Sequence, residues 1–321
     1  MSSPKANIIC LLKILWDYSD GDNILSMKDI KSKMIQLYGR DIDRRTVSDC
    51  CDALNLAGFD VSVFKENKEG YYLRSRLFDT SELRLLMDSV YSNNTIPAKA
   101  SADLIKKLQK LTNVHKSKSY TALTVCRDNM KTPNKETFYN ISLLDEAIIK
   151  KKKVSFIYTE YGFDKKLHQK GDRRHIVSPY SMAVYDGNYY LICGWDGAEE
   201  PCHYHISKIK DLHLTDEDIY PLPKDFKLDR YIQNSVYMYG GKPEQIKMRC
   251  HKYILDAVIM RFGTDIHISK NDDDTFTAIL YASQKGMYIW ALQFLDTCEI
   301  LEPKSLRDEI IKVIKNSPYN N

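Results

Sequence analysis

Ser178-Pro179-Tyr180 opens the stretch that decides the fold, followed by Met182-Ala183-Val184-Tyr185 and a turn at Asp186-Gly187-Asn188. Tyr189-Tyr190-Leu191-Ile192-Cys193-Gly194-Trp195 comes next, then a second turn at Asp196-Gly197. His203-Tyr204-His205-Ile206-Ser207-Lys208-Ile209-Lys210-Asp211-Leu212 completes it. Three short runs rich in Tyr, Val and Ile, separated by Asp-Gly turns, predict an antiparallel meander. Side chains alternate faces along a strand. In the third run Tyr204, Ile206 and Lys208 therefore share one face, and His203, His205 and Ser207 the other. One side can fill a small barrel. The other can present imidazole and hydroxyl groups to a ligand.

Upstream, Ile141 to Lys150 reads as a helix leading into a strand, Val154 to Tyr158. A charged loop from Thr159 to Gly171 precedes Arg173-Arg174 and the meander. Downstream, Leu214 to Gly241 carries acidic residues, prolines and tyrosines and reads as a linker. From Glu244 the predicted order is strand 245–251, helix 253–262, strand 265–269, strand 275–282, helix 286–295, strand 297–301 and helix 304–314. That βαββαβ order is ferredoxin-like, and its second helix, with Trp290, Phe294 and Leu295, is mostly core.

At the other end, Ile8 to Trp16 shows helical spacing and stops at Asp20-Gly21. Ser26 can N-cap a second helix ending near Gly39, and Asp43 a third. In the third, Val47, Cys50, Cys51, Leu54 and Ala57 form a buried stripe, while Arg44, Arg45, Ser48, Asp49 and Asp52 point outward. Two β-rich runs follow, Phe59 to Phe64 and Tyr71 to Arg74. Three helices and a hairpin make a winged helix-turn-helix, whose third helix enters the major groove by its N-terminal residues. Arg44 and Arg45 can reach phosphates or base edges, and Thr46 and Ser48 can donate to phosphate. Asp49 weakens phosphate binding or accepts from a cytosine amino group. A plain three-helix interaction domain is the rival reading. Two further helices, Thr80 to Tyr91 and Ala98 to Thr112, carry apolar stripes (Leu83, Leu86, Met87 and Val90; Leu104, Leu108 and Leu111) suited to a connector or dimer seam. Val114 to Lys135 reads as irregular apart from aliphatics around Leu123 and Val125.

A chain of 321 residues suits two or three domains. Its apolar runs are shorter than the roughly 20 residues of a membrane span, and Met1 to Lys5 opens no signal peptide, so the expected location is cytoplasmic. The eight cysteines are scattered with no CxxC, which reads as reduced thiols filling cores. A net charge of +4 permits nucleic-acid binding without demanding it. Lys99 to Lys118, Lys150 to Lys153 and Lys165 to His175 are basic clusters whose ordinary meaning is a solvated face. No GxSxG, GxxxxGK[ST] or HExxH stands in the chain, so no enzyme, cofactor or metal is expected. Cys202, His203 and His205 invite zinc, but alternation sets Cys202 opposite both histidines. Tyr180, Tyr190, His203 or His205, and Lys208, with Arg173 and Arg174, offer stacking rings beside cations, as in sequence-tolerant nucleotide or single-strand sites.

The Pro-Tyr pair, Tyr189-Tyr190-Leu191 and Tyr204-His205-Ile206-Ser207-Lys208-Ile209 together resemble the WYL domain of bacterial transcription regulators. Tyr189 stands where the family has Trp, and His205 and Lys208 where it is Arg-rich. Asp43-Arg44-Arg45-Thr46-Val47, Ala53-Leu54, Ala57-Gly58-Phe59 and Gly70-Tyr71-Tyr72-Leu73 resemble the reader usually joined to it, and the last domain looks like the family's WCX extension. The resemblance implies an α+β multidomain chain: a winged helix-turn-helix (1–78), a helical connector or dimerisation segment (79–140), an Sm-like small β-barrel, the WYL domain (141–215), a linker (216–243) and a WCX domain (244–321). It implies a homodimer on a double-stranded DNA operator, with a barrel face that binds a nucleotide or short single-stranded nucleic acid. The alternative is a nucleic-acid-binding accessory module that regulates a partner enzyme.

Overall fold

The computed structural model describes residues 4–120, 131–271 and 273–320, so Leu123 and Val125 lie outside the described residues. The chain divides into two compact units, residues 1–132 and 133–321. Together they give a mixed α+β protein with a helical N-terminal region and a curled antiparallel sheet.

The first unit opens with α1 (Pro4–Tyr18) and α2 (Met27–Tyr38). Ser26 caps α2 in a capping box with Asp29, and Gly39 ends it in the left-handed region at φ +62°. Asp43 caps α3 (Arg44–Leu56), whose buried residues are Val47, Cys50, Cys51 and Leu54. That stripe packs with Leu11, Ile14 and Leu15 of α1 and Ile30 and Met34 of α2. Ala57, expected on the stripe, is exposed just past the helix. The hairpin is shorter than the sequence predicts. Only Val61–Ser62 (β1) pairs with Tyr72–Leu73 (β2), because a one-turn helix, α4 (Phe64–Asn67), takes up much of the connection. Then come α5 (Thr80–Ser92), α6 (Ala98–Gln109) and α7 (Val114–Ser119), the last where no regular structure is expected. Leu83 and Met87 are buried among Ile105, Leu108, Leu111 and Tyr120. Leu86, expected in the same stripe, is 39% exposed.

The second unit begins with α8 (Thr137–Lys150), which leads into the long strand β3 (Lys152–Tyr161). Around it run β4 (Leu167–Gln169), β5 (His175–Tyr185), β6 (Asn188–Gly194), β7 (Cys202–His205) and β8 (Ile209–Asp218). The sheet order is β4-β3-β5-β6-β7, with β8 also paired to β3, and all pairings antiparallel. Register shifts between Pro179 and Ser181, and at two places in β3, bend these strands. Asp186 and Gly187 both take positive φ (48° and 68°), the two-residue hairpin geometry that Asp-Gly favours. Inside the curl lie Leu144 and Ala147 of α8 with Val154, Phe156, Val177, Leu191, Cys193, Ile206, Ile209 and Leu212.

The expected linker is a packed segment. It forms α9 (Leu228–Gln233) and a 3-10 turn at Val236–Met238. Tyr231 and Met238 are buried against Ile192, Ala183, Tyr185 and Tyr190 on the outer sheet face. After it come β9 (Pro243–His251), α10 (Leu255–Phe262), β10 (His267–Lys270), β11 (Thr275–Ser283), α11 (Gln284–Gln293), β12 (Cys298–Glu302) and α12 (Lys304–Lys315). The four strands form an antiparallel sheet of order β10-β11-β9-β12. Trp290 fills its core with Met248, Val258 and Met287. Leu295 lies past the end of α11 and is 46% exposed, against expectation.

Candidate functional site

Strands β6 and β7 pair Tyr190 with His205, Leu191 with Tyr204, Ile192 with His203 and Cys193 with Cys202. Alternation then sorts the side chains. Leu191, Cys193, Cys202 and Tyr204 belong to the interior cluster, and Tyr190 and Ile192 to the outer one. The Tyr190 and His205 rings meet edge to face, 5.0 Å between centroids. His203 packs against Tyr231 at 5.4 Å, and its Nδ1 bonds the Met238 carbonyl at 2.7 Å.

The alternation stops at His205. Ile206 to Lys208 form a 3-10 turn, with Ile206 and Ser207 buried, so strict strand parity does not reach Ser207 or Lys208. Asn134 pins this turn by donating to the carbonyls of Ser207 (3.0 Å) and Ile209 (2.7 Å). The Ser207 hydroxyl bonds His205 Nδ1 at 2.7 Å. Alternation, which sets His205 and Lys208 on opposite faces, therefore does not fix where Lys208 points. Burial first, then Lys208, push His205 down to about 4. His205 is therefore neutral at pH 7. The Lys208 ammonium has no ion-pair or side-chain hydrogen-bond partner among the described residues.

The other expected cations and rings are distributed differently. Arg174 is committed within the fold, ion-paired to Asp211 and donating from Nε to the Ser155 hydroxyl at 2.9 Å. Arg173 is exposed in the loop before β5. The Tyr180 ring lies over Gly194, where a Cβ would come within 2.6 Å of its hydroxyl, and that hydroxyl donates to the Tyr220 carbonyl at 2.9 Å. It fastens the segment after β8. The basic run is largely neutralised: Lys150 pairs with Glu146, Lys152 with Asp218, and Lys153 with both Asp196 (2.6 Å) and Glu217 (2.9 Å).

One cation on this face had no signal in the sequence. Arg261 of α10 lies between the rings of Tyr185 (5.0 Å) and Tyr237 (4.7 Å), and its Nη1 donates to the Tyr185 hydroxyl at 3.0 Å. Its buried Nε has no protein partner, nor has His203 Nε2. Tyr185 and Tyr190 belong to the same outer cluster. The outer face thus combines Tyr185, Tyr190, His203 and His205 with the cation Arg261, and Lys208 follows in the 3-10 turn after β7. The inner face carries a second aromatic group, with His175 stacked on Phe156 at 5.4 Å, flanked by Trp195, and hydrogen-bonded through Nδ1 with the Tyr204 hydroxyl at 3.0 Å.

On α3, Asp43 accepts from both the backbone N–H (2.8 Å) and the hydroxyl (2.9 Å) of Thr46. That hydroxyl proton serves the cap in this structure. Arg44 and Arg45 are exposed at the first turn, with the Arg44 guanidinium over the Phe64 ring at 5.3 Å. Ser48 is half-buried, and Asp49 and Asp52 are exposed on the same helix. Among the described residues no three His, Cys, Asp or Glu side chains converge to hold a metal ion, and no helix is long and apolar enough to cross a membrane.

No curated protein matches the chain in sequence. Among solved structures it is similar to proteasome accessory factor B/C (PafBC) of Arthrobacter aurescens, with 12% identity and a TM-score of 0.28 over 99% of this chain and 49% of that one. The chain thus spans about half the length of that protein. It is also similar to a CRISPR Cas-related protein, with 15% identity and a TM-score of 0.39 over 76% of this chain and 74% of that one. The segment running from α8 through the curled sheet to β8, residues 140–214, matches the family model of the WYL domain.

Proposed function

We propose that the chain is a DNA-binding transcriptional regulator whose WYL segment senses an anionic ligand, a nucleotide or short single-stranded nucleic acid, and adjusts operator binding. In this reading residues 4–78 are a winged helix-turn-helix, the curled sheet is an Sm-like barrel, and the last sheet with its helices is a ferredoxin-like WCX domain. The regulator works as a homodimer in the cytoplasm and catalyses nothing. The observation that carries the reading is the outer face of the WYL-matching sheet, where tyrosine and imidazole rings stand beside Arg261, with Lys208 in the 3-10 turn that follows β7. Rings stack on bases and the two cations hold phosphate, a combination tolerant of base identity. The exposed Arg44 and Arg45 support the DNA arm.

A second reading has its own observation. Asp49 and Asp52 are exposed on the outer face of α3, and carboxylates there oppose phosphate. They favour an accessory module that regulates a partner enzyme without an operator of its own. Selection of bound duplexes from a random pool, followed by footprinting, separates the two. The regulator predicts a two-fold symmetric site with half-sites about one DNA turn apart. Recovery of unselected sequence, with no footprint, supports the accessory module.

A further inference from the structure

The sequence scatters its cysteines, yet the fold gathers four of them into two pairs. Cys193 and Cys202 are register partners across β6 and β7, and their sulfurs are 3.6 Å apart. Cys250 and Cys298 are register partners across β9 and β12, also with sulfurs 3.6 Å apart. Directly opposed residues of an antiparallel pair have Cα atoms about 4.5–5.5 Å apart, inside the range of about 4.4–6.8 Å that a disulfide spans. Closing either pair needs side-chain rotation and no strand movement.

We propose that Cys202 is a site of thiol–disulfide exchange with low-molecular-weight disulfides, and that Cys193 resolves the adduct into a disulfide across β6 and β7. The Cys202 thiolate attacks one sulfur of the small disulfide R–S–S–R. That bond breaks, and the departing thiolate takes up the proton that Cys202 released. The Cys193 sulfur then attacks the Cys202 sulfur of the mixed disulfide, and the second R–S⁻ leaves with the Cys193 proton. Two electrons pass from the pair to the small disulfide, giving one protein disulfide and two small thiols.

Access sets the order of attack. Cys193 is fully buried, whereas Cys202 is half-buried at the start of β7. The hydrogen bond from Cys193 also holds Cys202 below the usual thiol range, while burial pushes Cys193 up. The second pair has the same geometry and the same difference in access, Cys250 buried and Cys298 half-buried, and differs only in the thiol shifts. The hydrogen bond with Cys250, then burial, hold Cys298 well above the thiol range, so it offers little thiolate to begin exchange. A reducing compartment keeps such dithiols reduced until the disulfide level rises. When closed, the bond fastens one end of the β6–β7 ladder whose other end carries Tyr190 and His205. The inference goes beyond the regulator proposed above and does not depend on it.

The test equilibrates the full chain in reduced and oxidised glutathione at graded ratios, traps free thiols with iodoacetamide, and maps tryptic peptides by mass. The peptide His175–Lys208 contains Cys193 and Cys202 and no other cysteine. With rising oxidised glutathione it should lose both alkyl groups and become lighter by two hydrogens, while Cys250 and Cys298 stay alkylated. In Cys193→Ser, glutathione should accumulate on Cys202. In Cys202→Ser, Cys193 should stay free. Circular dichroism checks that both variants fold, and the wild-type result stands without them. The proposal is overturned if the wild-type peptide takes two alkyl groups at every ratio. It is equally overturned if Cys250 and Cys298 crosslink at the same ratio, or if the adduct forms on Cys193.

Discussion

A neutral His205 has a consequence for stability that can be worked out in sign and size. Its imidazole falls from 6.5 to about 4 on folding, because burial and the Lys208 ammonium both disfavour the cation. The unfolded chain therefore binds more protons than the folded one as pH falls below the unfolded value. Stability from this group is fully present above pH 6.5 and is lost on acidification through the window from 6.5 to about 4. At one pKa unit to about 1.4 kcal/mol, the loss reaches about 2 kcal/mol near pH 5 and about 3 kcal/mol below pH 4. The perturbation is His205→Gln, which keeps a polar side chain and cannot titrate. Urea unfolding of both proteins at several pH values, followed by a probe in the second unit, gives the difference in stability. That difference should shrink by about 2 kcal/mol between pH 7.5 and pH 5, and imidazole carbon shifts should show His205 uncharged above pH 5. A difference that stays constant across this range, with a His205 titration near 6.5, would falsify the desolvation argument. It would also restore the imidazolium to the sheet face.

Three other outcomes are expected. Replacing Arg44 and Arg45 together with Ala should weaken duplex binding in fluorescence anisotropy and flatten its salt dependence by about one unit per lost phosphate contact; a folded double variant that binds as before removes both residues from the interface. Ser26→Ala breaks the capping box of α2 and should cost about 1 kcal/mol in urea unfolding of the first unit, and no measurable change would mean the cap is made by another group. Sedimentation at micromolar concentration should show a dimer that is lost on changing the exposed Leu85 and Leu86 of α5 to Glu, whereas a wild-type monomer with and without DNA contradicts a homodimer.

The sequence made local structure legible wherever chemistry within a few residues decides it. Ser26 and Asp43 sit where a helix needs an acceptor for its first N–H groups, and both caps form. Asp186-Gly187 tolerates the positive φ of a tight hairpin, and the meander turns there. The stripe of α3 follows its 3.6-residue period as far as Leu54. Legibility failed where a distant partner decides. Nothing near Lys208 announces that Asn134, far off in sequence, will hold a 3-10 turn and end the strand at His205. Tyr231 and Met238 stand among prolines and acidic residues, yet they are buried because Ile192 and Tyr190 offer an apolar face. Arg261 reads as a surface cation of an amphipathic helix until Tyr185 and Tyr237 close on it. Register partners such as Cys193 and Cys202 have no sequence signal at all, because pairing across strands depends on turn length and bulges.

Sensing requires that the ligand bind two conformations unequally, and the coupling must then appear with the same factor in both directions. The most direct measurement titrates anionic mononucleotides and short single-stranded oligonucleotides against the wild type and against Lys208→Ala with Arg261→Ala, reading duplex affinity in parallel. At least one of these ligands should bind the wild type and shift its duplex affinity. The duplex should shift ligand affinity by an equal factor, and the double variant should lose ligand binding while still binding duplex. A folded double variant that binds every ligand as the wild type does, with the same response in duplex affinity, would place sensing away from this sheet face.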